Sequence, residues 1–160
     1  MATSLILSEY VGPTTLTITL ASLANNAGAN GRQSVQVVDT TPSIPLVRVH
    51  AKVTTTGSPG AGNLIEFYVA RSDGTLLDGG TGTGDAAFGS SPVDTYEKSE
   101  LELVHTQPVS NSAATYISSF LIREPGPRWA LVVVNGTATA LDASAGNHSV
   151  TYETITPEVQ

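Results

Sequence analysis

The chain contains no cysteine, which excludes disulfide bonds, thiolate metal ligands and a cysteine nucleophile. Positive charge is scarce as well, because seven Lys and Arg residues stand against fourteen Asp and Glu residues. Phosphate backbones are bound by clustered basic side chains. The basic residues here are scattered along the chain, so the sequence predicts no nucleic-acid partner. They are Arg32, Arg48, Lys52, Arg71, Lys98, Arg123 and Arg128.

Long apolar runs are also missing. No stretch approaches the roughly 20 apolar residues that span a bilayer, so no membrane association is expected. The first seven residues lack a positively charged start and a full apolar region, which argues against a signal peptide. Charged residues make up only 13% of the chain and hydrophobic residues 40%, a balance that favours a folded core over disorder. The length of 160 residues predicts a single domain over 1–160, with possible extended arms at 1–10 and 155–160.

Apolar residues alternate with polar ones along most of the chain, which is the period expected of half-buried β-strands. Turn-forming Gly, Pro, Asn and Asp residues separate these runs. The sequence therefore predicts an all-β antiparallel β-sandwich, of jelly-roll type first and of immunoglobulin-like type as the alternative. The last two runs are expected to form a core hairpin across the Asn135-Gly136 turn signal. The predicted strands are 15–20, 34–39, 46–53, 64–70, 100–104, 115–122, 129–135 and 149–154.

Several polar residues invite a catalytic interpretation, but each has a simpler structural one. Glu100 and Glu102 share one face of a predicted strand and resemble a carboxylate pair, yet the alternation with Leu101 and Leu103 makes them its solvent face. No Gly-x-Ser-x-Gly motif is present to hold a serine nucleophile. The glycine-rich segment 79–84 lacks the Lys that completes a phosphate-binding loop. The chain is therefore expected not to be an enzyme and to need no cofactor.

Metal sites are not expected either. His50, His105 and His148 lie far apart, without the close spacing of zinc ligands. The spacing of Asp73 and Asp78 does not match a calcium-binding loop, and neither does the spacing of Asp142 and Asn147. These Asp residues are better explained as parts of turns.

Arg128 and Trp129 are the residues with the strongest claim to an interface. An exposed Trp129 beside Arg128 could stack on a sugar ring or anchor a partner protein. The alternative, which the sequence favours, places Trp129 in the core at the start of an apolar strand, because Trp is highly buried on average.

Two groups of motifs resemble a family of tailed-bacteriophage virion proteins. The first group lies near the N-terminus, the second in the last third of the chain, and their order agrees with the family. Residues 54–112 match only in length and β character. The motifs are 20–26 (LASLANN), 31–34 (GRQS), 39–41 (DTT), 127–137 (PRWALVVVNGT), 140–143 (ALDA) and 147–152 (NHSVTY).

This resemblance implies a structural component of the virion. Within that class we expect a capsid decoration (cement) protein, made in the host cytoplasm, that binds the major capsid protein on the outer capsid surface and stabilises the shell as a homotrimer. Three alternatives remain open: a tail, neck or fibre-associated protein, a carbohydrate-binding module that uses Trp129 and Tyr residues as stacking platforms, and a glycan depolymerase. The resemblance supplies no catalytic residues.

Overall fold

The computed structural model describes residues 6–25, 32–38, 46–60, 62–72, 85–87, 101–126 and 128–159. Nine strands and one 3-10 helix (Ala145–Asn147) account for the regular structure in these ranges. The strands are β1 (Ile6–Leu16), β2 (Arg32–Val38), β3 (Leu46–Thr54), β4 (Leu64–Ser72), β5 (Ala86–Ala87), β6 (Glu102–Pro108), β7 (Thr115–Arg123), β8 (Arg128–Asn135) and β9 (Ser149–Val159).

The strands form two antiparallel sheets. The four-stranded sheet has the order β1-β9-β3-β7, and the five-stranded sheet has the order β5-β2-β8-β4-β6. Both sheets contribute to one buried apolar cluster, for example through Val47 and Val49 of the first sheet and Ile65 and Phe67 of the second. The protein is therefore all-β, with two sheets packed face to face, which confirms this part of the sequence prediction.

Strand pairing is nested in the sequence. β1 pairs with β9, β2 with β8, β3 with β7 and β4 with β6, so each pair encloses the next along the chain. The outermost pair joins the two predicted arms, because Ile6 faces Val159 and Tyr10 faces Ile155. Residues 1–5 and 160 lie outside the described ranges.

β3 shows how alternation selects the buried face. Val47, Val49, Ala51 and Val53 are buried, while the intervening residues are half-exposed. Successive side chains of a strand point to opposite faces, so this sequence can form only one apolar face. The predicted orientation of this strand is confirmed.

β8 differs, because it is buried on both faces. Trp129, Leu131 and Val133 join the core between the sheets, whereas Ala130 and Val132 belong to a second cluster on the other side of the same sheet. A continuous apolar run is what a central strand covered on both faces requires. The second cluster consists of Tyr68, Ala70, Leu101, Ala130, Val132 and Val134.

The predicted hairpin between β8 and β9 is wrong. β8 pairs with β2 and β4, whereas β9 pairs with β1 and β3, so the two strands lie in opposite sheets. The Asn135-Gly136 pair does not form the expected turn, since neither residue has the positive φ that such a turn needs. Gly136 instead permits a close backbone approach: a Cβ atom there would lie 2.8 Å from the Leu64 carbonyl oxygen.

The segment predicted as a first strand at 15–20 is only partly regular. β1 ends at Leu16, and residues 17–20 continue without strand pairing. Leu16 and Leu20 are nevertheless buried and Ile18 packs against the core, so the alternation identified the correct face. The segment is held by a side chain, because the Asp85 carboxylate accepts hydrogen bonds from the Thr19 backbone N–H at 2.9 Å and from its hydroxyl at 2.5 Å.

Candidate functional site

The solvent side of the four-stranded sheet presents side chains from three adjacent strands, β9, β3 and β7. Register places Arg48, His50 and Lys52 of β3 between β7 on one side and β9 on the other. Alternation assigns the residues across from them to the same side. We call this surface the outer face. It comprises Ser149, Thr151 and Glu153 of β9, Arg48, His50, Lys52 and Thr54 of β3, and Thr115, Ile117, Ser119, Leu121 and Arg123 of β7.

Two large apolar side chains are exposed on the outer face. Ile117 is 78% exposed and Leu121 is 43% exposed, whereas Phe120 and Ile122 on the opposite side of β7 are buried. The strand rise places Ile117 and Leu121 roughly 13 Å apart. A single exposed apolar residue is ordinary, but two on one face of one strand give that face an apolar component that folding does not use.

Basic residues are concentrated on the outer face. Among the described side chains, it carries three Lys or Arg residues and one acidic residue. The rest of the described side chains include two Lys or Arg residues and five acidic residues. The acidic residue, Glu153, lies 3.8 Å from the Arg48 guanidinium and 3.7 Å from His50 Nε2. Exposed pairs at such distances contribute little stability. The sequence showed these basic residues as scattered; β3 and β7 bring Arg48, Lys52 and Arg123 to one side.

The three histidines lie in different environments. His50 is on the outer face, His148 is in the loop before β9, and His105 is on β6 against the core. Among the described residues there is no group of three or more His, Asp or Glu that could hold a metal ion.

His105 has the most unusual surroundings of the three. Its ring stacks on Phe120 with 5.0 Å between centroids and lies 5.8 Å from Phe67. Its Nε2 atom is buried and has no hydrogen-bond partner in the described part of the structure. Burial disfavours the charged imidazolium and therefore lowers the pKa of His105 below its ordinary value of 6.5. The side chain acts here as an aromatic packing residue.

This environment predicts a pH dependence of stability. Unfolding restores the ordinary pKa of His105, so just below pH 6.5 the unfolded chain binds more protons than the folded one. The free energy of unfolding should therefore fall as the pH drops through 6.5, and His105→Phe should reduce this slope. Urea titrations between about pH 5 and pH 7.5 measure it. Ile122→Val, a core substitution that changes no titratable group, is the control and should keep the wild-type slope; equal slopes for the wild type and His105→Phe would contradict the prediction.

Asp142 and Asn147 form part of a closed loop. The Asp142 carboxylate accepts hydrogen bonds from the Ser144 backbone N–H at 2.8 Å and from the Asn147 amide at 2.9 Å. The pKa of Asp142 is lowered mainly by the bond from Ser144 and then by that from Asn147. His148 Nε2 lies 2.9 Å from the Asp142 carbonyl oxygen, and the Thr54 N–H donates to His148 Nδ1 at 3.4 Å. These groups are engaged in holding the loop against β3.

Glu102 is exposed, as the sequence analysis expected of a solvent-face residue, and it forms an ion pair. Glu102 binds Arg71, with 2.5 Å between Nη2 and Oε2, and the same guanidinium donates to the carbonyl oxygens of Arg123 and Glu124. Arg71 therefore joins the five-stranded sheet to the end of β7. The expected alternation is partly wrong, because Leu103 is 49% exposed. The register shift of β6 opposite Phe67 and Tyr68 accounts for this.

Some sequence candidates lie outside the described residues: Glu100, Asp73, Asp78 and the glycine-rich segment 79–84. Leu103, Val104, His105 and Thr106 line an open groove of about 340 Å³ beside the β6 irregularity. These four lining residues include no carboxylate, so they do not supply the acid–base pair that a glycosidase site requires.

Trp129 is fully buried, as the sequence favours. Its ring meets that of Tyr152 edge to face, with 5.7 Å between centroids and an angle of 88°. Arg128, its neighbour, is half-buried. The indole ring therefore presents no surface for stacking on a sugar, and the exposed alternative for Trp129 is wrong.

Asn135 is a key residue that the sequence interpretation missed. Its side chain is fully buried, and its Nδ2 atom donates to the carbonyl oxygens of Leu23, Ala24 and Thr139 at 2.8–3.1 Å. Its Oδ1 atom accepts from the backbone N–H and the hydroxyl of Thr137. This network joins the end of β8 to the 20–25 segment. In the sequence, an Asn-Gly pair after an apolar run indicates a turn and does not indicate a buried hydrogen-bond network.

No protein-family model matches the chain, and no curated protein is significantly similar to it in sequence. No helix among the described residues is long and apolar enough to cross a membrane.

Proposed function

We propose that the sandwich is a jelly roll. The nested pairing of β1 with β9, β2 with β8, β3 with β7 and β4 with β6 supports this assignment, because rolling up one long antiparallel hairpin produces such pairs. An immunoglobulin-like sandwich instead places its first two strands side by side in one sheet. Here β1 and β2 lie in opposite sheets. Jelly rolls recur in viral capsid proteins and in lectins.

We propose that the protein is a structural component of a tailed-phage virion, a decoration protein that binds the major capsid protein on the outer capsid surface as a homotrimer. The observation that carries this proposal is the outer face, a broad sheet surface with exposed Ile117 and Leu121 among basic side chains. Such a surface suits contact with another protein. The resemblance of residues 127–137 and 147–152 to phage virion proteins points to the same class.

Catalysis and sugar binding have less support. Two of the described carboxylates are engaged in structural contacts: that of Glu102 binds Arg71, and that of Asp142 accepts hydrogen bonds from Ser144 and Asn147. Jelly-roll lectins exist, but the lone Trp of this chain is buried and unavailable as a stacking platform. Binding to capsids or to isolated tails distinguishes a capsid location of the protein from a tail location.

The test is binding of the purified protein to capsids assembled without it and to isolated tails of the same phage. We expect saturable co-sedimentation with capsids and density in groups of three on the capsid surface in electron micrographs. Binding to tails alone would move the protein to the tail, and binding to neither particle would overturn the proposal. Light scattering at several concentrations measures self-association in solution.

A further inference from the structure

We infer that the outer face binds an acidic protein surface in which carboxylates lie beside apolar side chains. This inference rests on the proposed function in one respect, because it assigns the capsid as the source of that surface. The residues that carry it are Ile117 and Leu121 together with Arg48, Lys52 and Arg123.

The first argument is the distribution of charge. The chain as a whole has a net charge of −7, yet the outer face holds three of the five Lys and Arg residues whose side chains are described and one of the six acidic residues. A basic face on an acidic protein attracts negative surfaces and orients the molecule as it approaches them. The partner that complements this face is therefore acidic.

The second argument is the pairing of apolar with basic residues. The register of β3 with β7 sets Ile117 opposite Lys52 and Leu121 opposite Arg48. Side chains at directly opposed positions lie about 5 Å apart at Cβ. Each exposed apolar group thus has a basic neighbour, and Arg123 adds a third positive charge at the end of β7. Lys52 Nζ already donates to the Gly146 carbonyl oxygen at 2.9 Å, and an ammonium group has further N–H donors that an acceptor on a partner covering Ile117 can meet.

Nucleic acid fits this face less well. Its described side chains include only three Lys or Arg residues, with Glu153 beside Arg48, and no Phe, Tyr or Trp on which single-stranded bases could stack. A partner held by phosphate contacts alone would leave Ile117 without a role. The exposed apolar side chains favour a protein.

The test compares two variants with the wild type in capsid binding. Ile117→Ser removes the apolar contact and Arg123→Glu reverses one charge; we expect each to weaken binding about tenfold or more. Leu103→Ser, at a similarly exposed leucine on the five-stranded sheet, is the control and should bind like the wild type. Binding of the wild type should also weaken when NaCl is raised from about 0.05 M to about 0.5 M.

A second arm separates this inference from the proposed function. Immobilised glutamate–leucine copolymer is the acidic apolar probe, and duplex DNA is the nucleic-acid probe. Copolymer binding that the two variants lose supports the inference even if capsids are not bound. Capsid binding that survives both variants, or that does not respond to salt, overturns the inference and leaves the proposed function standing. Binding to DNA but not to the copolymer overturns it as well, and so does binding to none of the three.

Discussion

Replacing Asn135 with Ala is expected to lower the free energy of unfolding by about 2–4 kcal/mol, and replacing it with Asp by about 4 kcal/mol or more. Alanine removes the donor to the carbonyl oxygen of Ala24 and the Oδ1 acceptor of the Thr137 backbone N–H. Aspartate has the same shape, but it lacks the Nδ2 donor and directs a buried negative charge at three carbonyl oxygens. Since domains of this size are stable by only about 5–15 kcal/mol, this cost is a large fraction of the total, and the Asp variant should unfold at a much lower urea concentration than the wild type.

Urea unfolding followed by the fluorescence of the single Trp measures these differences. Asn147→Ala is the matched control, because Asn147 is exposed and its amide makes one hydrogen bond, to Asp142. That variant should cost less than about 1 kcal/mol. If Asn135→Asp were as stable as the wild type, the amide would not be the group that holds the 20–25 segment to β8.

Trp129→Ala is expected to lower the free energy of unfolding by about 3–5 kcal/mol. Trp129 lies in β8 of one sheet and meets Tyr152 in β9 of the other, so its loss opens a cavity between the sheets. The neighbours are strand residues fixed by ladders on both sides, and they can collapse only partly into the space.

Trp129→Phe separates packing from hydrogen bonding. The indole Nε1 atom is buried and has no hydrogen-bond partner among the described atoms, so a phenyl ring gives up volume but no bond. We expect a cost of about 1–2 kcal/mol. Unfolding is followed here by circular dichroism, because both variants lack the only Trp. Equal costs for Phe and Ala would mean that the indole N–H, and not the ring volume, carries the contribution.

Alternation in the sequence predicts which face of a strand is buried, and it does so well for β3, where Val47 and Val49 enter the core as expected. It does not predict which strand lies alongside, since any apolar strand can pair with any other of the same pattern. For that reason the hairpin expected between β8 and β9 was wrong, although both strands exist. Leu103 shows a second limit, because one irregularity in pairing moves a leucine from the expected core to the surface.

The candidate site was harder to predict than the fold. Arg48 and Arg123 are 75 positions apart and become neighbours only through the antiparallel register of β3 and β7. The exposure of Ile117 contradicts its apolar character, and no local pattern marks it as a surface residue. Asn135 is the reverse case, a polar residue that is buried. A polar residue after an apolar run looks like the start of a turn, and only the folded chain brings three carbonyl oxygens to its amide.

Synthesis on the ribosome delays the assembly of the four-stranded sheet. β9 is made after the other described strands, yet it lies between β1 and β3, and β9 is the one neighbour of β1 among the strands that the structure describes. At 5–20 residues per second, β1 waits on the order of 10 s for its partner. During that time the nascent chain carries an unpaired strand edge, which is a hazard for aggregation. The complete sandwich therefore forms only after Val159 has left the exit tunnel. Until then, the yield of folded protein should depend on whether the unpaired edge of β1 is kept from pairing with other chains.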